Sequence, residues 1–167
     1  MYAERQKNII NSHNTNILQS TQNDEIDPCN CKSKPECPLN SQCNIKSIVY
    51  NAQVNSDNET INYYGLCETK FKLRWANHNC SFRHESKENE TELSKYIWKL
   101  KQAKKDYRIE WSIAAKCTPY KSGARTCFLC LTEKPLISQA DESYINKKSE
   151  IIQTCRHRLK FCLSHFK

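Results

Sequence analysis

Four side chains in this sequence are of the types that grip or cut a phosphodiester: Tyr50, Tyr63, Arg74 and His78. Phenol and imidazole groups can hold or move a proton, and a guanidinium matches phosphate geometry. Arg74 and His78 stand four residues apart, so on a helix they share one face. Eleven cysteines offer a second chemistry. Cys29, Cys31, Cys37 and Cys43 crowd together upstream; Cys127 and Cys130 form a CxxC pair downstream, followed by Cys155 and His157. Zinc takes four Cys or His ligands in a tetrahedron, often as close pairs from two parts of a chain. Each set supplies four ligands, so two structural zinc sites are expected. Cys67, Cys80, Cys117 and Cys162 are read as buried thiols, because cysteine packs as a small hydrophobe.

Elements must bring these residues together. Residues 48–54 and 61–65 alternate apolar and polar side chains, as half-buried strands do, and the polar stretch 57–59 between them reads as a hairpin turn. A helix is expected over 70–81, with Phe71, Trp75 and Phe82 facing inward. Asn89, with Glu92 three residues on, reads as the cap of a second helix, whose Leu93, Tyr96, Ile97 and Leu100 form an apolar stripe. Tyr107, Ile109, Trp111 and Ile113 alternate with polar residues and predict a third strand. A third helix is expected to begin near Cys127 and carry Glu133. Pro135 falls inside it, where a lost backbone bond and ring clash cost ~3 kcal/mol. The order β-β-α-α-β-α predicts an α+β fold: a small three-stranded antiparallel sheet flanked by helices, with zinc-binding cysteine clusters.

The chain has only two glycines, Gly65 and Gly123. A glycine inside a strand marks either a close approach of another group or a bulge. Gly65, beside Tyr64, is expected to answer a steric need.

With 26 Lys+Arg against 18 Asp+Glu, the formal net charge is +8. That favours a polyanionic partner, most commonly a phosphate backbone. No apolar run approaches the ~20 residues of a bilayer span, so no membrane role is expected. Residues 1–28 are rich in Asn, Gln, Ser and Thr and read as a flexible tail without an apolar signal-peptide core. Three acceptor patterns for glycosylation, at Asn58, Asn79 and Asn89, are compatible with secretion and a disulfide framework. The missing signal peptide points the other way, to an intracellular (nuclear or cytoplasmic) chain whose cysteines bind metal.

The order of Tyr50, then Tyr63 and Gly65, then Arg74 and His78 resembles the GIY-YIG endonuclease domain. Segments 48–54, 63–82, 91–98, 127–134 and 145–150, with Cys155 and His157, resemble the nuclease module at the C-terminal end of Penelope-like retroelement polyproteins. The likeness runs from about residue 29 to 160. It implies residues 1–28 as a possible remnant of an upstream reverse transcriptase, 29–47 as a cysteine cluster, 48–148 as the nuclease domain, and 149–167 as a basic tail that could form a short helix and supplies ligands to the second zinc. Two departures stand out: Ile48 and Val49 replace the first glycine and isoleucine, and Pro135 follows Glu133.

The resemblance implies hydrolysis of double-stranded DNA by nicking. Glu133 would hold Mg²⁺ (or Mn²⁺), Arg74 would clamp the phosphate, and Tyr50 would take a proton from the attacking water. Tyr63 and His78 would orient the water or the base, with Gly65 and Asn146 in support. A phenol near pKa 10 needs nearby positive charge to act as a base at neutral pH. The alternative from another class is an inactive zinc-stabilised nucleic-acid-binding module, left by a decayed or repurposed element.

Overall fold

The structure, a computed structural model, describes residues 29–57, 59–155 and 157, the side chains of Lys34 and Lys148 excepted. The expected N-terminal tail (1–28), Cys162 and the basic stretch beyond His157 lie outside the described residues. The elements are β1 (Ile48–Ser56), β2 (Glu59–Cys67), α1 (Phe71–Arg83), α2 (Glu92–Gln102), β3 (Arg108–Lys116) and α3 (Phe128–Gln139), with short 3₁₀ turns at Lys34–Glu36, Glu85–Lys87 and Lys148–Glu150. This is the expected β-β-α-α-β-α order and an α+β architecture. Among the described residues no helix is long and apolar enough to cross a membrane.

The sheet is antiparallel throughout, in the order β2-β1-β3. Ser56 pairs with Glu59 where β1 meets β2, and Asp57 takes a positive φ of 48° there. Along β1, Tyr50, Ala52 and Val54 are fully buried while Asn51, Gln53 and Asn55 alternate with them on the other face. A bulge lies between Val49 and Tyr50: Val49 pairs with Ala115, but Tyr50 pairs with Ile113. It sits immediately beside the tyrosine of interest, where bulges commonly re-aim a side chain.

Helices α1 and α2 cover the Tyr50 face. Phe71, Phe82, Leu93, Ile97 and Leu100 pack there with Tyr50, Val54 and Tyr63, and Trp75, Tyr96, Ile109, Trp111 and Ile113 close the margins. The apolar stripe expected on the second helix is therefore core. The start of that helix is set by Thr91 rather than by the expected Asn89. Thr91 Oγ1 accepts from Ser94 N at 3.0 Å and Ser94 Oγ accepts from Thr91 N at 2.9 Å, closing a capping box. At the far end of α1, Trp98 Nε1 donates to Ser81 O at 2.9 Å and the Lys101 ammonium donates to Phe82 O, so α2 satisfies carbonyls that a helix end leaves free.

Helix α1 has no side-chain cap at all. Its first amides instead reach back into the upstream cysteine segment: Phe71 N donates to Ile45 O at 2.9 Å and Lys72 N to Cys43 O at 2.7 Å. Helix α3 packs on β2 and β1. It runs through Pro135 without ending, and Glu133 keeps its place at a cleft wall. The short helix that the C-terminal tail could form falls mostly outside the described residues; a 3₁₀ turn at Lys148–Glu150 and further turns carry the chain to Cys155.

The free edge of β2 is closed by residues 143–146. Asn62 N donates to Ser143 O at 2.7 Å and Ile145 N to Asn62 O at 2.9 Å, with a parallel bridge between Asn62 and Tyr144. Asn146 continues the pairing with its side chain: Tyr64 N donates to its Oδ1 at 2.7 Å and its Nδ2 donates to Tyr64 O at 2.9 Å. An asparagine amide thus stands where a strand's peptide group would.

Gly65 lies directly across from Tyr50 in the β1–β2 register. A Cβ at Gly65 would overlap the Tyr50 hydroxyl and lie 2.5 Å from ring carbon Cζ. The expected steric need is real, and it belongs to the tyrosine of the neighbouring strand. Gly65→Ala is expected to destabilise the fold by about 1–3 kcal/mol, the range for overfilling a packed core. Tyr50→Phe should not rescue it, because the ring carbon still collides. Urea unfolding of the two single variants and the double variant checks this; full rescue by Tyr50→Phe would contradict it.

Candidate functional site

Tyr50, Arg74 and His78 meet at one oxygen. Arg74 Nε donates to the Tyr50 hydroxyl at 3.1 Å, and that hydroxyl is 2.7 Å from His78 Nε2. The four-residue spacing on α1 makes this convergence possible, and the strand opposite supplies the phenol. Arg74 donates to the hydroxyl, and the direction of the hydroxyl–Nε2 hydrogen bond follows the imidazole tautomer. His78 is 2 % exposed. Burial, aided by the Arg74 charge, pushes its pKa down to about 3, so the ring is neutral at physiological pH.

Tyr50 itself is 0 % exposed. Burial pushes its pKa up to about 12, and the Arg74 charge and hydrogen bond reduce this without reversing it. The positive neighbour that would make the phenol a base is present, but desolvation outweighs it. The ring also lies behind Gly65, and neither Tyr50 nor His78 lines the adjacent cleft.

That cleft, of about 580 Å³, runs between β2 with its following loop, α1, the start of α2, α3 and residues 147–154. Tyr63, Gly65, Arg74 and Glu133 line it together. Tyr63 is 5 % exposed, and burial holds its hydroxyl well above the usual phenol range. Glu133 is pushed up to about 7 by burial and then by the neighbouring Glu150 carboxylate; the charges of Lys134 and Arg74 oppose this. Glu150 is fixed at the cleft by Asn146 Nδ2, at 3.1 Å, and by Lys147 N, at 2.8 Å. Asn146 therefore ties Glu150 to β2, which the sequence did not disclose. Five carboxylates (Glu68, Glu90, Glu92, Glu133 and Glu150) face three cationic side chains (Arg74, Lys134 and Lys147) across this cleft. An anionic ligand would meet net repulsion there unless a cation entered with it.

The cysteines gather as their spacing predicts. The Sγ atoms of Cys29, Cys31, Cys37 and Cys43 all lie within 4.8 Å of one another, with separations of 3.4 Å (Cys29–Cys43) and 3.6 Å (Cys29–Cys37 and Cys31–Cys43). A disulfide needs ~2.05 Å, whereas a tetrahedron with metal–sulfur bonds of ~2.3 Å has edges of about 3.8 Å. Ser41 N donates to Cys37 Sγ at 3.0 Å. Burial opposes the Cys37 thiolate, but backbone N–H groups outweigh it and bring its pKa down to about 7.

Cys127, Cys130 and Cys155 form a second buried group whose Sγ atoms lie within 4.8 Å of one another. His157 Nδ1 stands 3.6 Å from Cys155 Sγ. Both clusters have the donor chemistry and spacing to hold a structural zinc. The remaining described cysteines fit the buried-thiol reading only in part: Cys67 is buried, with Sγ donating to Thr69 O at 2.9 Å, while Cys80 and Cys117 are half-buried.

Residue types alone concealed Glu68, Glu150 and Tyr120. Glu68 and Tyr120 lie in loops and Glu150 in a three-residue 3₁₀ turn, all without periodicity, and only the folded chain brings them to a cluster or cleft.

Glu133 provides a stability test. Its folded pKa lies above its unfolded value of about 4.5, so the fold binds the extra proton between these values and loses stability as pH rises through about 7. Glu133→Gln removes that cost. In buffer without Mg²⁺ or Mn²⁺ it is expected to be more stable than the parent by about 1–3 kcal/mol at pH 8 and equal to it near pH 4. Urea unfolding at both pH values measures the difference; a pH-independent difference would contradict the burial argument.

No family model, curated protein or solved structure matches this chain.

Proposed function

We propose that the chain is a metal-dependent DNA endonuclease of GIY-YIG type that nicks double-stranded DNA, derived from a Penelope-like retroelement. The observation that carries this reading is the convergence of Tyr63, Arg74 and Glu133 on one cleft, with Tyr50 and His78 bracing the arginine from behind. The order of these residues along the chain adds the family resemblance.

The donor set fits a divalent cation. Glu133 is a carboxylate held near neutrality by burial and by a second carboxylate, and a cation relieves both penalties. Glu133 would hold Mg²⁺ or Mn²⁺, and the bound ion would supply positive charge to the phosphoryl and leaving oxygens. It also removes the repulsion that the acidic cleft offers a phosphate.

The chain's own groups then divide the work. Arg74 presents its guanidinium to the phosphate while its Nε stays on the Tyr50 hydroxyl. The buried Tyr50–His78 pair fixes the arginine's position, which matters because a preorganised donor does not have to reorganise as charge develops. Tyr63 is the phenol at the cleft wall, so it holds the attacking water by hydrogen bonding. Of the roles implied by the resemblance, Tyr63 keeps that of orienting the water, and Tyr50 braces Arg74 in place of taking the water's proton. Asn146 keeps β2 and Glu150 in register with the cleft. The cysteine clusters hold structural zinc and anchor α1 and α3, and a net charge of +8 supports attraction to the DNA backbone.

Supercoiled plasmid incubated with the protein and Mg²⁺ is expected to relax to the nicked circle. Glu133→Ala should abolish nicking and leave DNA binding within about two-fold, since one carboxylate contributes little to backbone affinity. A Glu133→Ala protein that nicks as fast as the parent would overturn the assignment of the metal ligand. A parent that binds DNA and never nicks it would favour the inactive nucleic-acid-binding module.

A further inference from the structure

His157 is held from three sides. Its Nδ1 points to Cys155 Sγ at 3.6 Å. Its Nε2 is 3.0 Å from Glu68 Oε1. Its ring stacks on Tyr120, with centroids 3.6 Å apart and planes 16° from parallel. Glu68 follows β2 directly and lines the cleft, and Tyr120 packs against the buried cysteine group.

We infer that Glu68 is a positioning residue for the second metal site: it makes His157 the fourth ligand beside Cys127, Cys130 and Cys155. The inference rests on the reading of that cluster as a zinc site. A metal-ligating imidazole must offer a lone pair at one nitrogen, and the hydrogen bond made by the other decides which. Glu68 accepts the proton of Nε2, which leaves the Nδ1 lone pair on the side of Cys155 Sγ, the nearest thiol of the cluster. Tyr120 fixes the ring plane, so the pair sets both tautomer and orientation. Glu68 and Cys130 both border the cleft that contains Glu133, so the support of the metal site is part of the cleft wall.

The test uses the full chain loaded with zinc, and readouts that do not depend on cleavage. The parent is expected to carry two zinc ions, and cadmium-113 substitution should give two resonances, one for four sulfurs and one for three sulfurs and a nitrogen. Glu68→Ala should weaken only the second ion, by about 10–100-fold in competition with a chromophoric chelator, the usual cost of removing such a support. His157→Ala should affect the same ion. Glu68→Gln keeps an oxygen acceptor for Nε2–H and should restore most of the affinity, which separates positioning from a general loss of folding. Unchanged affinity in Glu68→Ala, with two ions bound, would overturn the inference alone. A parent that binds one ion, with no three-sulfur, one-nitrogen resonance, would overturn the zinc reading of this cluster and the inference with it.

Discussion

The contact between Tyr50 and Gly65 is the constraint on which the arrangement of the site depends. A tyrosine points into the core at a position where its neighbour across the strand pair has no side chain. The hydroxyl that reaches this space must find partners, because a buried polar group without them is costly. Arg74 and His78 supply them from one face of α1. The register of β1 on β2, the rotation of α1 about its axis and the orientation of the guanidinium are thereby fixed together. A change at any of these residues disturbs the others, since they share one oxygen.

The two cysteine clusters extend that logic to the helices. The first lies against the start of α1, and its carbonyls take the amides that a cap would have taken. The second includes Cys127 at the N-cap of α3 and Cys130 in its first turn, one turn before Glu133. The helices that bring Arg74 and Glu133 to the cleft, α1 and α3, thus each begin at a cluster able to hold a metal. Site formation and folding are coupled wherever a metal's ligands come together only in the fold. The small sheet offers only one face to the main core, so anchors of this kind substitute for a larger hydrophobic contact.

Much of this was legible in the sequence because it is written in local periodicity and spacing. Alternation gave the three strands, the stripe of Leu93, Ile97 and Leu100 gave α2, and ligand spacing gave both cysteine groups. The spacing of Arg74 and His78 gave their shared face. Three features were not legible, for physical reasons. Helix α1 has no cap signal because its amides bond to a distant loop. The true cap of α2 is Thr91, closed by a serine at the third position rather than by the expected acid. The burial of Tyr50 depends on a cross-strand glycine, so its type and position alone could not tell a buried brace from an exposed base. Glu68 and Glu150 belong to the same class of omission: Glu68 acts on His157 and Glu150 on Glu133 only where the fold joins them at the cluster and the cleft.

The central claim is that the brace beneath Gly65 holds Arg74 for a phosphate whose bond is being cut, rather than for general attraction of DNA. Single-turnover cleavage of a labelled duplex at saturating protein, with affinity measured separately in Ca²⁺, tests it most directly. The account predicts that Arg74→Ala lowers the cleavage rate by about 100-fold or more, as loss of one preorganised donor does, while affinity changes little. An unchanged rate with weaker, less salt-dependent binding would contradict it and leave Arg74 as one backbone contact among many.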